Sequence, residues 1–566
     1  MDVMNPQTGT LEEIGQRDHE ITAEYRIFGP PGTGKTTSLT RQIQRAVDRF
    51  GPDSVLVTSF SRAAAAELAG RDLPISPDRV GTLHSHCWHA LGGPEIAEAN
   101  VDEWNRDNPA LAITPVKKQG KLDGEEAMGD DSETEKRGDE LLQRLNRHRG
   151  QMLPGLHGAW NEPLVAFEKR WTEYKRENGL LDFTDLIETC LHDVALAPRS
   201  PSVIFADEAQ DLNRMQLSLV RKWGERTSYF IVAGDDDQTI YTFTGATPEA
   251  MLDPDIPADH KIILKQSYRV PRAVHRFAED LIHQVTRRQP KEYLPRPADG
   301  AMDRFSRDGY LRTEYAIVKT ASEHIERGQS VMFLAACAYM LRSLIAVLRK
   351  RGIPFHNEYR RSNGFWNPLR AGKRGSAANR ILSLLVAHPD FGENRRPWTN
   401  GDVALWAEVL QSKGVLRHGM KAKLKAGEAA KPATLERLDE IFEPEALESL
   451  MAAWEGNCCD LLGWWRERIT AEVRQRVQFP ILVATTHGPQ ALLDEPLVTV
   501  GTIHSVKGGQ ADVVYLFPDL SQAGDAQYRR DGAPRDSVIR QFYVGATRAR
   551  DKLYICGRES SMAISM

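Results

Sequence analysis

Short apolar runs that stop at glycine or at acidic residues punctuate the chain, and helical apolar stripes follow them. Tyr25–Phe28 is the first such run, and Leu39, Ile43 and Val47 then share one helical face. Val203–Ala206 and Phe230–Gly234 read as further buried strands. Residues 330–357, SVMFLAACAYMLRSLIAVLRKRGIPFHN, read as strand, helix, strand. There Leu341, Leu344, Ile345 and Leu348 recur at helical spacing, and Gly352-Ile353-Pro354 ends the helix. The expected fold is α/β, with strands delivering polar residues to their C-terminal ends.

The chain has 566 residues, more than one hydrophobic core organises, so three or four structural units are expected. Hydrophobic residues make up 41% and charged residues 27%, as in soluble globular proteins. No apolar run is long enough to span a bilayer and no signal-peptide core is present, so a cytoplasmic protein without membrane contact is expected. The net charge of −5 gives no global sign of nucleic-acid binding, and a DNA-binding surface must be a local groove. The six cysteines, at 87, 190, 337, 458, 459 and 556, form no CxxC pair, which argues against a zinc or iron–sulfur site.

Chemistry concentrates at the strand ends. Gly29-Pro30-Pro31-Gly32-Thr33-Gly34-Lys35-Thr36 is G-x-x-x-x-G-K-T between a strand and a helix. In that context glycines let backbone N–H groups converge on phosphate oxygens, and the helix N-terminus adds partial positive charge. Lys35 is expected to reach the β- and γ-phosphates of ATP, and Thr36 to ligate Mg²⁺. In VIFADEAQD (203–211), Asp207 is placed to hold Mg²⁺ through water and Glu208 to polarise the attacking water. In FIVAGDDDQTIYTF (230–243), Gln238 lies where a γ-phosphate sensor would sit.

Further stretches follow in a fixed order: VLVTSFSRAAAAEL (55–68), GTLHSHCW (81–88), LDFTDLI (181–187), DEAQD (207–211), GDDDQTIY (234–241), LKQSYR (264–269), TIHSVKGGQADVVYLF (502–517) and FYVGATRARDKL (542–553). This ordered series resembles superfamily 1 DNA helicases of the UvrD/Rep/PcrA type. The resemblance implies two RecA-like parallel-sheet P-loop NTPase domains, each with a mainly helical insertion. ATP would lie between the cores and single-stranded DNA would cross both. It implies an ATP-dependent 3′→5′ helicase or translocase; a translocase without intrinsic unwinding and an RNA helicase are the alternatives. Residue by residue, it implies Tyr268 stacked on the adenine and Arg269 and Arg548 as arginine fingers. A planar guanidinium suits the charge that develops on a transferring phosphoryl group. Phe60 and Phe243 would touch DNA bases with support from Tyr241, while Thr82, His84, Thr502 and His504 would contact the phosphate backbone.

The sequence departs from the family at several places. Gln16 lacks the context of an adenine-reading motif. Thr37 stands where the family has a base-sandwiching arginine, and Phe243-Thr244 where it has tryptophan and arginine. Gln510 replaces a ribose-contacting glutamate. Only CGRESSMAISM follows Leu553-Tyr554-Ile555, where the family carries a strand-separating hairpin, so translocation with weak unwinding is expected.

The first core is expected at 1–100 and 170–271, interrupted by a helical insertion at 101–169, and the second at 272–387 and 496–566, interrupted at 388–495. The first insertion contains LDGEEAMGDDSETEKRGDE (122–140), with nine acidic and two basic residues, which reads as a solvated loop. The second contains KGVLRHGMKAKLKAGEAAK (413–431), with six basic residues and one acidic, a candidate duplex-binding patch. Single-stranded DNA, its junctions with duplex and a protein partner for processive unwinding are the expected partners. No internal repeat is apparent.

Overall fold

The computed structural model describes residues 4–5, 10–11, 24–60, 65–66, 68, 70, 73–116, 136–152, 160–304, 314–357, 365–369, 375–424 and 428–566. Gln16, Lys425 and most of the acidic run at 122–140 lie outside these residues. The chain divides into two compact units. The first comprises Met1–Met302, Leu520–Leu553 and Ser560–Met566; the second comprises Asp303–Asp519 and Tyr554–Glu559.

The first unit is built on a six-stranded sheet. Its strands are β1 (Glu24–Phe28), β2 (Val55–Ser59), β3 (Val80–Thr82), β4 (Val203–Asp207), β5 (Tyr229–Gly234) and β6 (Lys261–Ile263). They lie in the order β3-β2-β4-β5-β1-β6, and every pair is parallel. Both faces of the sheet are covered, which is why its strands read as continuous apolar runs rather than alternating ones. Leu39, Ile43 and Ala46 of α1 (Lys35–Phe50) pack on one face against Val57, Phe205 and Ile231. Leu83 and Cys87 of α2 (Leu83–Ala90), Leu186 and Cys190 of α3 (Phe183–Asp193), and Leu219 and Trp223 of α4 (Arg214–Gly224) line the other. Register sets Ser59 opposite both Thr82 and Asp207, and Phe28 opposite Gly234. The polar ends of these strands therefore open at one edge of the sheet.

After β6, β7 (Gln266–Pro271) pairs with Leu294–Arg296, and α5 (Arg272–Ile282) packs on α6 (Ala533–Ala546). The first unit thus takes in 272–302 and 520–553, residues of the expected second core. The physical cause is burial. α5 hides Val274, Phe277, Ala278, Leu281 and Ile282, and α6 hides Val538, Ile539, Phe542 and Val544. The insertion between α2 and α3 has a core of its own, where Trp104, Phe167 and Trp171 meet edge-on and stacked.

The second unit holds β8 (Val331–Ala335) paired in parallel with β9 (Val498–Thr502) and β10 (Ala511–Leu516). Leu341, Leu344, Ile345 and Leu348 are buried as their spacing requires. The helices between 377 and 487 do not form a separate body. Trp398, Trp406, Phe442, Trp464 and Trp465 share one continuous apolar cluster with Phe333, Val498 and Val513 of the sheet.

Candidate nucleotide and nucleic-acid site

The phosphate loop leaves β1 and is fastened at both ends. The Gly29 N–H donates to the Gly234 carbonyl at 2.9 Å, tying the loop to the end of β5. The Thr33 hydroxyl donates to the Pro30 carbonyl at 2.7 Å and closes the turn. Gly32 and Gly34 have φ of 74° and 76°, a left-handed backbone that suits glycine. A side chain at Gly32 would also come within 2.5 Å of the Arg269 Cβ, so the loop is pressed directly against β7. Three bonds hold it there: the Tyr268 N–H to the Gly32 carbonyl (2.8 Å), and the Ser267 hydroxyl (2.9 Å) and Tyr293 hydroxyl (2.7 Å) to the Pro31 carbonyl. Gly34 caps α1 without a side-chain acceptor, so the first-turn N–H groups face the loop. Tyr268 is 73% exposed. Thr36 is half-buried and Thr37 exposed.

Lys35 reaches the end of β4. Its ammonium pairs with Glu208 and lies 3.4 Å from Asp207 Oδ1. Burial works against that charge, but Asp207 and Glu208 outweigh it and raise the lysine's pKa. Asp207 Oδ1 is buried and has no hydrogen-bond partner, and burial raises its carboxyl. Glu208 has φ of 52°, the left-handed region for a non-glycine residue. Its Oε2 accepts from Gln210 Nε2 at 2.6 Å, and Gln210 Oε1 accepts from the Asp235 N–H at 3.1 Å. Gln210 therefore bridges the ends of β4 and β5, and a Cβ at Gly234 would strike its Oε1 at 2.3 Å. Gln210 and Ser267 lie inside the ordered stretches, but their contacts with Asp235 and Pro31, like that of Tyr293 with Pro31, join positions distant in the chain and are not legible in the sequence.

Gln238 follows β5 in a short turn. Its Nε2 donates to Asp235 Oδ2 at 2.8 Å and to the Gly29 carbonyl at 3.4 Å. Its Oε1 accepts from the Arg548 guanidinium at 3.2 Å. Arg548 is 2% exposed, and its Nε donates to the Val544 carbonyl at 2.9 Å. The first unit thus brings together Lys35, Asp207, Glu208, Gln238, Arg269 and Arg548 around one loop. Gln510 is exposed and belongs to the second unit.

The candidate base-stacking side chains form a half-buried aromatic row: Phe60 and Tyr241 at 5.3 Å, Tyr241 and Phe243 at 5.9 Å. The two threonines proposed to touch phosphates are not turned outward. Thr82 is 2% exposed and its Oγ1 accepts from the Ser85 N–H at 3.2 Å; Thr502 is 4% exposed and its Oγ1 accepts from the Ser505 N–H at 3.2 Å. Each caps the turn that presents His84 or His504, both half-buried. Burial lowers the His84 imidazole from its ordinary value. In the basic stretch, Arg417 pairs with Asp439 and Lys431 with Glu428, and the Lys421 ammonium donates to the Leu410 carbonyl.

The model of the UvrD/REP helicase N-terminal domain matches residues 13–256, and that of the UvrD-like helicase C-terminal domain matches residues 497–556. The chain belongs to the UvrD/Rep helicase family. Among similar proteins of that family, the putative ATP-dependent DNA helicase YjcD of Bacillus subtilis is 23% identical over 314 residues, which are 51% of this chain and 41% of that one. The ATP-dependent DNA helicase PcrA of Staphylococcus aureus is 26% identical over 295 residues, 47% of this chain and 38% of the relative. The chain therefore matches less than half the length of these UvrD/Rep relatives. No helix among its described residues is long and apolar enough to cross a membrane.

Proposed function

We propose that this chain is an ATP-driven motor on single-stranded DNA, a UvrD/PcrA-type helicase or translocase moving 3′→5′. The observation that carries the reading is the meeting of Lys35, Asp207, Glu208, Gln238 and Arg548 at adjacent strand ends around one phosphate loop. The names of the relatives, ATP-dependent DNA helicases, support the substrate pair, and kinship with the family supports the polarity.

In this reading the loop N–H groups and Lys35 bind the β- and γ-phosphates, and Tyr268 covers the adenine. Thr36 and Asp207 would hold Mg²⁺, and the buried Asp207 carboxylate at the end of β4, beside Lys35, fits that role. When bound, the ion would neutralise charge on the phosphate oxygens. Glu208 orients and polarises the attacking water. Gln238, Arg269 and Arg548 stabilise charge that develops on the transferring phosphoryl group. Phe60, Tyr241 and Phe243 stack on bases, while His84 and His504 hold the strand by hydrogen bonds. Junctions of single strand and duplex are the preferred substrate, and a protein partner sustains processive unwinding.

The test is ATP hydrolysis with and without single-stranded DNA or RNA, run beside strand displacement on 3′-tailed, 5′-tailed and blunt duplexes. DNA-stimulated hydrolysis that vanishes in Lys35→Ala and favours the 3′-tailed duplex is expected. Stimulation by RNA alone, or full turnover in the Lys35→Ala protein, would overturn the reading.

A further inference from the structure

Residues 286–293, Thr-Arg-Arg-Gln-Pro-Lys-Glu-Tyr, lie outside the recognised motifs, yet they touch the elements that carry the chemistry. The Lys291 ammonium lies 2.7 Å from Asp235, 2.5 Å from Asp236 and 2.8 Å from Asp237, and none of these side chains is more than 1% exposed. Arg288 grips Asp237 with its Nε at 3.0 Å and a terminal nitrogen at 2.6 Å, and the Gln289 N–H donates to Asp236 at 2.8 Å. Carboxylate oxygens within 4.8 Å of one another, as these are, repel strongly in a dry interior unless a cation joins them. Lys291 supplies that cation. Even so, burial leaves the Asp236 carboxyl raised to about 6.

The segment is fastened at both ends. Downstream, the Tyr293 hydroxyl donates to the Pro31 carbonyl of the phosphate loop at 2.7 Å. Upstream, the Thr286 N–H and hydroxyl donate to Asp536 of α6 at 3.1 and 2.5 Å, and the Arg287 carbonyl accepts from Arg540 of α6 at 2.6 Å. It therefore ties the phosphate loop, the end of β5 and the helix leading to Arg548 into one piece.

Asp235 is the link to the reaction. One of its oxygens is held by Lys291 and the other accepts from Gln238, which in turn accepts from Arg548. We propose that Lys291 is a positioning residue for ATP hydrolysis. By pinning Asp235 it fixes the rotamer of Gln238 and, through it, the Arg548 guanidinium. With three buried aspartates in place, Lys291 neutralises them, and its contact with Asp235 also fixes the carboxylate that holds Gln238. The proposal rests on the ATPase reading above and deepens it.

The test uses the full chain as wild type, Lys291→Met and Thr286→Val. It measures steady-state ATP hydrolysis with saturating oligo-dT, and the affinities for ADP and for ADP with fluoroaluminate, a mimic of the transferring phosphoryl group. Lys291→Met should lower kcat at least about tenfold while KM and ADP affinity stay within about threefold. Its preference for ADP–fluoroaluminate over ADP should fall by about the same tenfold factor. Should a thermal melt find Lys291→Met unfolded, Thr286→Val carries the test, with kcat lowered about threefold at unchanged ADP affinity. A folded Lys291→Met protein with wild-type kcat overturns the proposal, as does an equal loss of ADP binding and turnover, which marks a structural brace alone. An unaffected Thr286→Val protein overturns it where Lys291→Met does not fold. A wild-type chain that hydrolyses no ATP sinks the ATPase reading and this proposal together, whereas active variants beside an active wild type sink only this one.

Discussion

Glu208 combines a strained backbone, φ of 52°, with a carboxylate shared between Lys35 and Gln210. Backbone strain of this kind persists where the surroundings over-determine it, as at catalytic positions. Glu208→Gln keeps the shape and cannot act as a base, so turnover should fall roughly 10²–10⁴-fold while nucleotide binding persists. A single-turnover assay beside an ADP titration checks this, and a loss below about threefold would move the base elsewhere. Phe243 sits at the end of the aromatic row with Tyr241 and Phe60 and is only half-buried. Phe243→Ala should weaken oligonucleotide binding by about 1–3 kcal/mol and spare basal ATP hydrolysis; unchanged DNA affinity would make it a packing residue. At this scale Lys35, Asp207, Glu208 and Gln238 are legible in the sequence because each stands at a fixed offset from a strand end. Gln210, Tyr293 and Lys291 are not, because what defines them is contact across 25 to 262 positions of chain.

Strand ends and the helices that follow are also largely legible as elements. The series Gly81-Thr82-Leu83-His84-Ser85 returns as Gly501-Thr502-Ile503-His504-Ser505, too short to register as a repeat. In both, the threonine ends a strand and caps the next turn through the serine N–H. The polar joint between the first insertion and the sheet is not legible in this way. There Asp182 caps α3 and receives Arg149, Lys175 and the Trp171 indole. Burial alone would raise Asp182, but Arg149 and Lys175 hold it below the usual carboxylate range. Beside it, burial and then Asp182 raise the buried Glu98 from 4.5 to about 8. Glu98 accepts from the Phe183 N–H at 3.2 Å, and its other oxygen has no partner. A carboxyl raised on folding favours the native state below its unfolded pKa and loses that contribution as pH rises through the folded one. Glu98→Gln should therefore match the wild type in melting temperature near pH 5 and exceed it at pH 8. An equal difference at both pH values would place the proton on another group.

At the scale of the whole chain the two insertions are built differently, and their stabilities should differ accordingly. The first has an apolar core confined to residues between 97 and 180, closed by Trp104, Phe167 and Trp171. The second has no such boundary. Trp406 is fully buried, its ring stacks on Phe442 at 5.6 Å, its carbonyl accepts from the Trp465 indole at 2.9 Å, and its cluster runs unbroken to Phe333 of β8 and Val498 of β9. The sequence marks 388–495 as an interruption of the second core, yet periodicity cannot tell a helix that packs on its own neighbours from one that completes another sheet. Removing a buried tryptophan costs about 3–5 kcal/mol, and the loss spreads as far as the cluster is continuous. Trp406→Ala should therefore raise hydrogen exchange in β8 and β9 as well as in the insertion's helices. Trp104→Ala should raise exchange in Arg137–Gly150 and Glu162–Asn178 while β1 and β5 stay protected. The measurement is native-state hydrogen exchange on both variants, read peptide by peptide. Protection of β8 that survives Trp406→Ala would mean that the insertion folds as a body of its own, and the continuity of its core with the sheet would then carry no energetic coupling.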